Sequence, residues 1–310
     1  MSIEEDLTGL TPSKGTLLTI GVFDGVHLGH RHLIARLVEQ ARAMGLISGV
    51  IAFRQHPQAL LSPSSSPPFL TNLPQKIKLL KEEGIDIVFP LSFTMDLAQT
   101  SVRRFISLLQ QHLEMCGMVL GTDATLGRGK EGSIDTLHSL SREMKFSLTV
   151  VPRLKADGEV ISSTNIRRAL SGGDIKKANR MLGRRFSLEG YVISGANRGV
   201  ELGFPTANLD VEAERALPQD GVYASLAYVD NECHRSVTVI SKRPTFGMEE
   251  RHVELHIIRF EGDLYRRQLK IDIIDMLRGI KKFDDTAELV DQINKDIQQA
   301  QAIFNNTKCQ

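Results

Sequence analysis

Apolar residues follow two different rhythms along this chain of 310 residues. In the first half, short runs rich in β-branched residues occupy 17–23, 49–53, 85–91, 118–120 and 148–151, the mark of strands buried on both faces. Helical spacing fills the intervals. Leu33, Ile34, Leu37, Val38 and Ala41 share one face, as do Val102, Phe105, Ile106, Leu109 and Leu113, with Thr100 or Ser101 placed to cap the second helix. Alternating strands and helices predict a parallel sheet with helices on both faces, whose ligands bind beyond the carboxyl ends of the strands. The segment QHPQALLSPSSSPPFLTN, Gln55 to Asn72, is too rich in Pro and Ser for a regular element and predicts a long surface loop, a candidate lid.

After about Gly183 the spacing shifts toward a period of two. Runs at 190–194, 222–229, 236–240, 252–260 and 269–274 read as strands separated by turn residues. Val290, Ile293, Ile297, Ala300 and Phe304 then recur at helical spacing behind an Asp285/Thr286 cap. The expected architecture is therefore an α/β domain over residues 1–183, followed by a β-rich domain with a closing helix over 184–310. No internal repeat is visible.

Composition narrows the function class. With 41% hydrophobic and 24% charged residues and a net charge of +1, the chain has no general attraction for nucleic acid or a membrane surface, so an anion site must be local. Small molecules are the expected partners, and the oligomeric state stays open. No apolar run approaches membrane-spanning length, and the acidic start MSIEEDLTGL lacks the form of a secretory signal. Cys116, Cys233 and Cys309 are far apart and odd in number, which predicts reduced, unpaired thiols in a cytoplasmic protein.

The chemistry concentrates at helix starts. In TIGVFDGVHLGHRHLI an apolar run stops at Asp24-Gly25, and His27 and His30 follow on one face of an opening helix. Free N–H groups and the helix dipole favour an anion there, imidazole donors can hold phosphate oxygens, and Gly21 and Gly29 allow close backbone approach. In ISSTNIRRAL, Ser162, Ser163 and Thr164 supply hydroxyls at another helix start, with Arg167 able to grip two oxygens. Two such helix mouths in one sheet predict a nucleoside triphosphate site.

GVFDGVHLGH, which includes Phe23 and Asp24, matches the (H/T)xGH signature of the nucleotidyltransferases, and ISSTNIR matches their second signature. Together they resemble the amino-terminal module of the bacterial bifunctional riboflavin kinase/FMN adenylyltransferase family (FAD synthetase). The resemblance implies a Rossmann-like domain in which His27, His30 and Arg167 contact ATP phosphates while FMN attacks the α-phosphorus and pyrophosphate leaves. The attacking phosphate is already an anion, so no general base is required. GTDATLGRGKEG keeps Gly121 and Asp123 of the family's flavin-side pattern, but Ala124 and Leu126 replace two phenylalanines. That departure motivates an alternative in which only the kinase is active.

GYVISGANRGVELGFPTANLD resembles the riboflavin kinase signature, and the likeness continues through DGVYAS, RPTF and VELHIIRFEGDLY. Gly195 and Gly199 suit a turn over phosphates, and Thr206 and Asn208 offer oxygen ligands for Mg²⁺. The family implies a small β-barrel that phosphorylates riboflavin with ATP, with Glu254 as the base for a neutral hydroxyl. Arg266 stands where the family often has glycine. The remaining histidines show no ligand spacing.

Overall fold

The computed structural model describes residues 3–8, 12–194, 199, 202–245 and 248–305. By internal contacts the chain divides into two compact units, one ending at Ser163 and the other beginning at Thr164. The division falls ahead of the expected 183.

In the first unit, β1 (Thr16–Gly21), β2 (Ile47–Phe53), β3 (Ile87–Leu91), β4 (Met115–Gly121) and β5 (Ser147–Val151) form one parallel sheet ordered β3-β2-β1-β4-β5. Its helices are α1 (Ile3–Leu7), α2 (Leu28–Ala43), α3 (Pro57–Leu61), α4 (Leu73–Glu82), α5 (Met95–Gln99), α6 (Val102–Leu113) and α7 (Ile134–Glu143). A two-stranded hairpin, β6 (Lys155–Ala156) with β7 (Glu159–Val160), follows β5. Successive strand residues serve opposite faces. Leu17 packs with Ile34, Leu37, Val38 and Ala41 of α2, whereas Leu18 packs with Phe105, Ile106, Leu109 and Leu113 of α6. Burial on both sides explains the continuous apolar runs, and each such leucine contributes about 1.5–3 kcal/mol over an exposed one. Ser101 is the cap of α6, its hydroxyl accepting from Arg104 N at 3.3 Å. The strand order reverses between β1 and β4, the switch point at whose carboxyl ends ligands bind in open α/β sheets.

The Pro/Ser-rich segment departs from expectation. It contains α3 and a short 3₁₀ turn, Pro63–Ser65. Pro57 sits in the first turn, where its missing N–H costs nothing, and His56 Nδ1 accepts from Gln58 N at 3.2 Å. Proline here starts a helix rather than preventing one.

The division falls within the first turn of α8 (Ser163–Ser171), and α9 (Ile175–Leu182) follows in the second unit. β8 (Phe186–Ile193), β9 (Ala207–Asp210), β10 (Gly221–Val229), β11 (Glu232–Thr245), β12 (Met248–Ile257) and β13 (Gln268–Gly279) close into a barrel in the order β10-β11-β12-β9-β8-β13. A terminal helix, α10 (Thr286–Phe304), is capped by Asp285, which accepts from Glu288 N at 2.8 Å. α9 is fastened to the barrel: Asn179 Nδ2 donates to Ile273 O at 3.0 Å and its Oδ1 accepts from Phe186 N at 2.7 Å. Outward-facing Val222, Ala224 and Leu226 pack with Ala300 and Phe304 of α10. Ser225 faces the other way and hydrogen-bonds Ser236 and Thr238, all three fully buried. Several strands extend beyond their apolar cores, β11 and β13 most of all, because ladder pairing continues through polar residues.

The cysteine expectation fails in part. Cys116 is free and exposed, Cys233 is disulfide-bonded, and Cys309 lies outside the described residues. An odd count excludes complete pairing, but it leaves room for one bridge. Among the described residues no helix is long and apolar enough to cross a membrane.

Candidate active sites

At the end of β1 the backbone turns sharply. Phe23 and Val26 have φ of 49° and 36°, with Gly25 at 82° between them; left-handed backbone costs about 1–3 kcal/mol at each non-glycine residue. His27 then caps α2, its Nδ1 accepting from His30 N at 3.2 Å. In the neutral ring this bond places the proton on Nε2, which is left as a donor. The His27 and His30 rings stack at 3.7 Å, and Phe23 lies 5.1 Å from His30. His27 is buried and His30 half-buried. A Cβ on Gly29 would stand 3.0 Å from Ile161 O and 3.1 Å from the His27 ring, so only glycine lets the segment leading into α8 approach without a shift. Gly21 is similarly close to the Phe23 ring.

Asp24 is held on several sides. Its carboxylate accepts from Leu70 N at 2.8 Å and Thr71 N at 3.1 Å, and its carbonyl accepts from the Ser163 hydroxyl at 2.9 Å. The first unit thus brings Gly21, Phe23, Asp24, His27, Gly29, His30 and Ser163 together. Ser162 directly precedes α8, and Thr164 and Arg167 lie three residues apart on that helix.

Asp123 follows β4 and pairs with Arg153, which follows β5. The Arg153 hydrogen bond holds the Asp123 carboxyl below its ordinary range. Ala124 and Leu126 pack against the same apolar cluster as Phe53 and Phe93, whose rings meet edge-on at 5.5 Å.

In the second unit, antiparallel register sets Asn208 of β9 directly opposite Glu254 of β12, which brings their Cβ atoms to about 4.5–5.5 Å on one face. Val253, Leu255 and Ile257 are buried on the other face. Gly199 accepts from Phe204 N at 2.8 Å, and a Cβ there would collide with Phe204 O. His256 Nδ1 is 2.8 Å from Pro205 O. Gly195 lies outside the described residues.

Two clefts meet at Thr206. One, of about 360 Å³, runs between the barrel wall and α10 and is lined by Gly199, Thr206, Glu254, Arg278, Phe283 and Asp296. The other, of about 400 Å³, is lined by Val192, Thr206, Leu255, Phe260, Asp263 and Tyr265. Within the first, Arg278 Nε and Nη2 grip the buried Asp296 carboxylate at 2.9 and 2.8 Å, and Gln292 donates to it at 2.9 Å. Sequence reading missed this pair. The signal was present: Asp296 interrupts the apolar face formed by Ile293, Ile297 and Ala300. It also missed Lys76, which is 3% exposed and whose Nζ donates to Phe53 O at 2.9 Å. Burial lowers the Lys76 pKa, opposed by the nearby Asp24 carboxylate.

Thr206 and Asn208 offer hard oxygen donors beside a carboxylate. That set fits a cation such as Mg²⁺ that takes few protein ligands and completes its shell with phosphate and water. Among the described residues no group of three or more His, Cys, Asp or Glu could hold a metal ion.

Comparison with known proteins follows the same division. The FAD synthetase family matches residues 11–165 and the riboflavin kinase family matches residues 182–304. The bifunctional riboflavin kinase/FMN adenylyltransferase of Bacillus subtilis (strain 168) is 33% identical over 297 residues, covering 94% of each chain. That of Escherichia coli (strain K12) is 34% identical over 299 residues, covering 96% of this chain and 95% of the relative. A crystal structure described as a macrolide-efflux protein from Streptococcus pneumoniae superposes with a TM-score of 0.89 at 28% identity, covering 97% of both chains. By identity and coverage, this chain belongs to the bifunctional riboflavin kinase/FMN adenylyltransferase family.

Proposed function

We propose that the chain phosphorylates riboflavin to FMN in its barrel unit and adenylylates FMN to FAD, with release of pyrophosphate, through its α/β unit. The observation that carries the kinase assignment is the Asn208–Glu254 register beside a threonine that lines two clefts. Glu254 marks the cleft under α10 as the acceptor side, which leaves the other cleft for ATP. The γ-phosphoryl group crosses at Thr206. Glu254 takes the proton of the ribityl hydroxyl as its oxygen attacks γ-phosphorus, and ADP departs. Thr206 and Asn208 would hold Mg²⁺, which neutralises phosphate charge when bound. Gly195 and Gly199 would form the turn over the phosphates.

In the other reaction a phosphate oxygen of FMN attacks the α-phosphorus of ATP and pyrophosphate leaves. His27 Nε2–H and His30 are assigned to the phosphates, with Ser162, Ser163, Thr164 and Arg167 at the second helix mouth. Gly21, Phe23, Asp24 and Gly29 shape the turn, and Asp123 lies on the flavin side. The work is positioning and charge stabilisation, not proton abstraction. Matches ending at 165 and resuming at 182 support a functional boundary near 183. The kinase-only alternative is not favoured, since both family matches are present and the full-length relatives are named as bifunctional enzymes. The substrates are small molecules found in the cytoplasm, which is the proposed compartment; the near-zero net charge gives no support to a nucleic-acid or membrane partner.

A time course with riboflavin, ATP and Mg²⁺ tests the reading. FMN should rise first and FAD should follow, with pyrophosphate released only in the second phase. Phosphorylation without any FAD would remove the first-unit assignment, and no FMN would remove the second.

A further inference from the structure

β12 holds the Thr206 segment by two different means. Ladder pairing joins Glu254 to Asn208 and Leu255 to Ala207, the first residue of β9. Ahead of Ala207 the segment carries Pro205, which has no N–H to give a ladder. There a side chain takes over. His256 Nδ1 lies 2.8 Å from Pro205 O, and the Phe204 ring meets the His256 ring edge-on at 5.8 Å. A carbonyl oxygen only accepts, so Nδ1 carries the proton in this contact. His256 stands two residues after Glu254, hence on the same strand face, and both line the cleft under α10. Thr206 is therefore bracketed from one strand: an imidazole fastens the residue before it, and backbone pairing fastens the residue after it.

We propose that His256 is a positioning residue for phosphoryl transfer, its Nδ1–H gripping the Pro205 carbonyl so that Thr206 is set at fixed reach of Glu254. It acts through the backbone of Pro205 and is not itself assigned to the reacting atoms. Strand pairing alone places Asn208; Thr206 lies outside β9 and needs a second fastening. Outer groups that orient a metal ligand are worth about 10–100-fold in metal affinity or activity, and that is the scale expected for the His256 bond. Because Glu254 and His256 belong to the same strand, one rigid element sets both the base and one of the two oxygen donors assigned to Mg²⁺.

The proposal rests on the kinase reading above, and the two can fail separately. In the full-length chain, His256→Phe keeps a ring beside Phe204 and removes the donor. The free Mg²⁺ concentration for half-maximal FMN formation should rise about 10–100-fold. KM for riboflavin, and FAD formation from supplied FMN, should stay near their wild-type values. His256→Asn gives up the ring but keeps a short N–H donor, and it should return most of the Mg²⁺ response. A readout without turnover stands beside these assays. In the ligand-free wild-type chain with ¹⁵N-labelled histidine, the His256 ring, assigned by the signals missing from His256→Phe, should carry its proton on Nδ1 at mildly alkaline pH. A proton on Nε2 would overturn the proposal even if the variants fail to fold. So would a wild-type Mg²⁺ response in the folded His256→Phe chain, a change confined to KM for riboflavin, or no recovery in His256→Asn. Absence of FMN formation by the wild-type chain would instead strike the underlying functional reading.

Discussion

The two units hold their reacting groups in different ways. In the α/β unit the side chains proposed for the phosphates follow from backbone: a left-handed turn, a histidine that caps its own helix, and an aspartate in the turn that accepts from the Leu70 and Thr71 N–H groups. In the barrel unit Glu254 and Asn208 owe their meeting to strand pairing, and the cleft proposed for the acceptor is walled by a helix tied down through Arg278 and Asp296. The difference matches the chemistry assigned to each. An acceptor that is already anionic needs fixed donors, and a turn at a helix mouth supplies them. A neutral hydroxyl needs a carboxylate within reach, and a strand face presents one.

Exchanging the damage should separate the two centres most sharply. Glu254→Gln keeps the side-chain shape and removes the base, so FMN formation should fall about 10²–10⁴-fold, while FAD formation from supplied FMN is unchanged. His30→Ala should do the reverse, lowering FAD formation about 10²–10³-fold and sparing FMN formation. Product assays that find both steps equally reduced by either change would collapse the comparison.

A smaller effect concerns the wall of the acceptor cleft. Asp296→Ala leaves the Arg278 guanidinium in a largely closed setting without its bidentate partner, at a cost of about 3 kcal/mol. Calorimetry should show the barrel transition falling and the α/β transition unmoved, with a raised KM for riboflavin.

The smallest predicted effect is visible only at high pH. All four tyrosines, Tyr191, Tyr223, Tyr228 and Tyr265, belong to the barrel unit, so phenolate absorbance reports that unit alone. Burial pushes Tyr223 and Tyr228 up to about 12. Folding keeps these phenols protonated where the unfolded chain, titrating near 10, would release them. Their contribution to stability is complete below pH 10 and is lost as pH climbs to about 12. Two phenols titrating late, together with earlier alkaline melting of the barrel, is the expected result; four phenols titrating together near 10 would contradict it.

The sequence made the α/β unit legible where burial was two-sided, because β1 and β2 carry unbroken apolar runs and the turn announces itself at Asp24-Gly25. Glu254 was legible as the polar member of an alternating strand, and the family resemblance supplied its role. Other features were hidden for specific reasons. α3 was obscured because proline and serine suggest irregular chain, although proline suits a first helical turn. Lys76 was hidden because nothing local in the sequence shows that its ammonium reaches the carbonyl of Phe53, 23 residues earlier. The disulfide at Cys233 was masked by reasoning from an odd count.

Closure of the barrel has a further consequence for Glu254. β12 is clasped by β9 on one side and β11 on the other, so moving it by one step would tear two seams at once and turn the carboxylate into the barrel's interior. A six-stranded hoop with no loose margin gives such a slide nowhere to begin. The alignment of acid and amide is thereby fastened by topology, and changes to the connecting turns can accumulate without unpicking it.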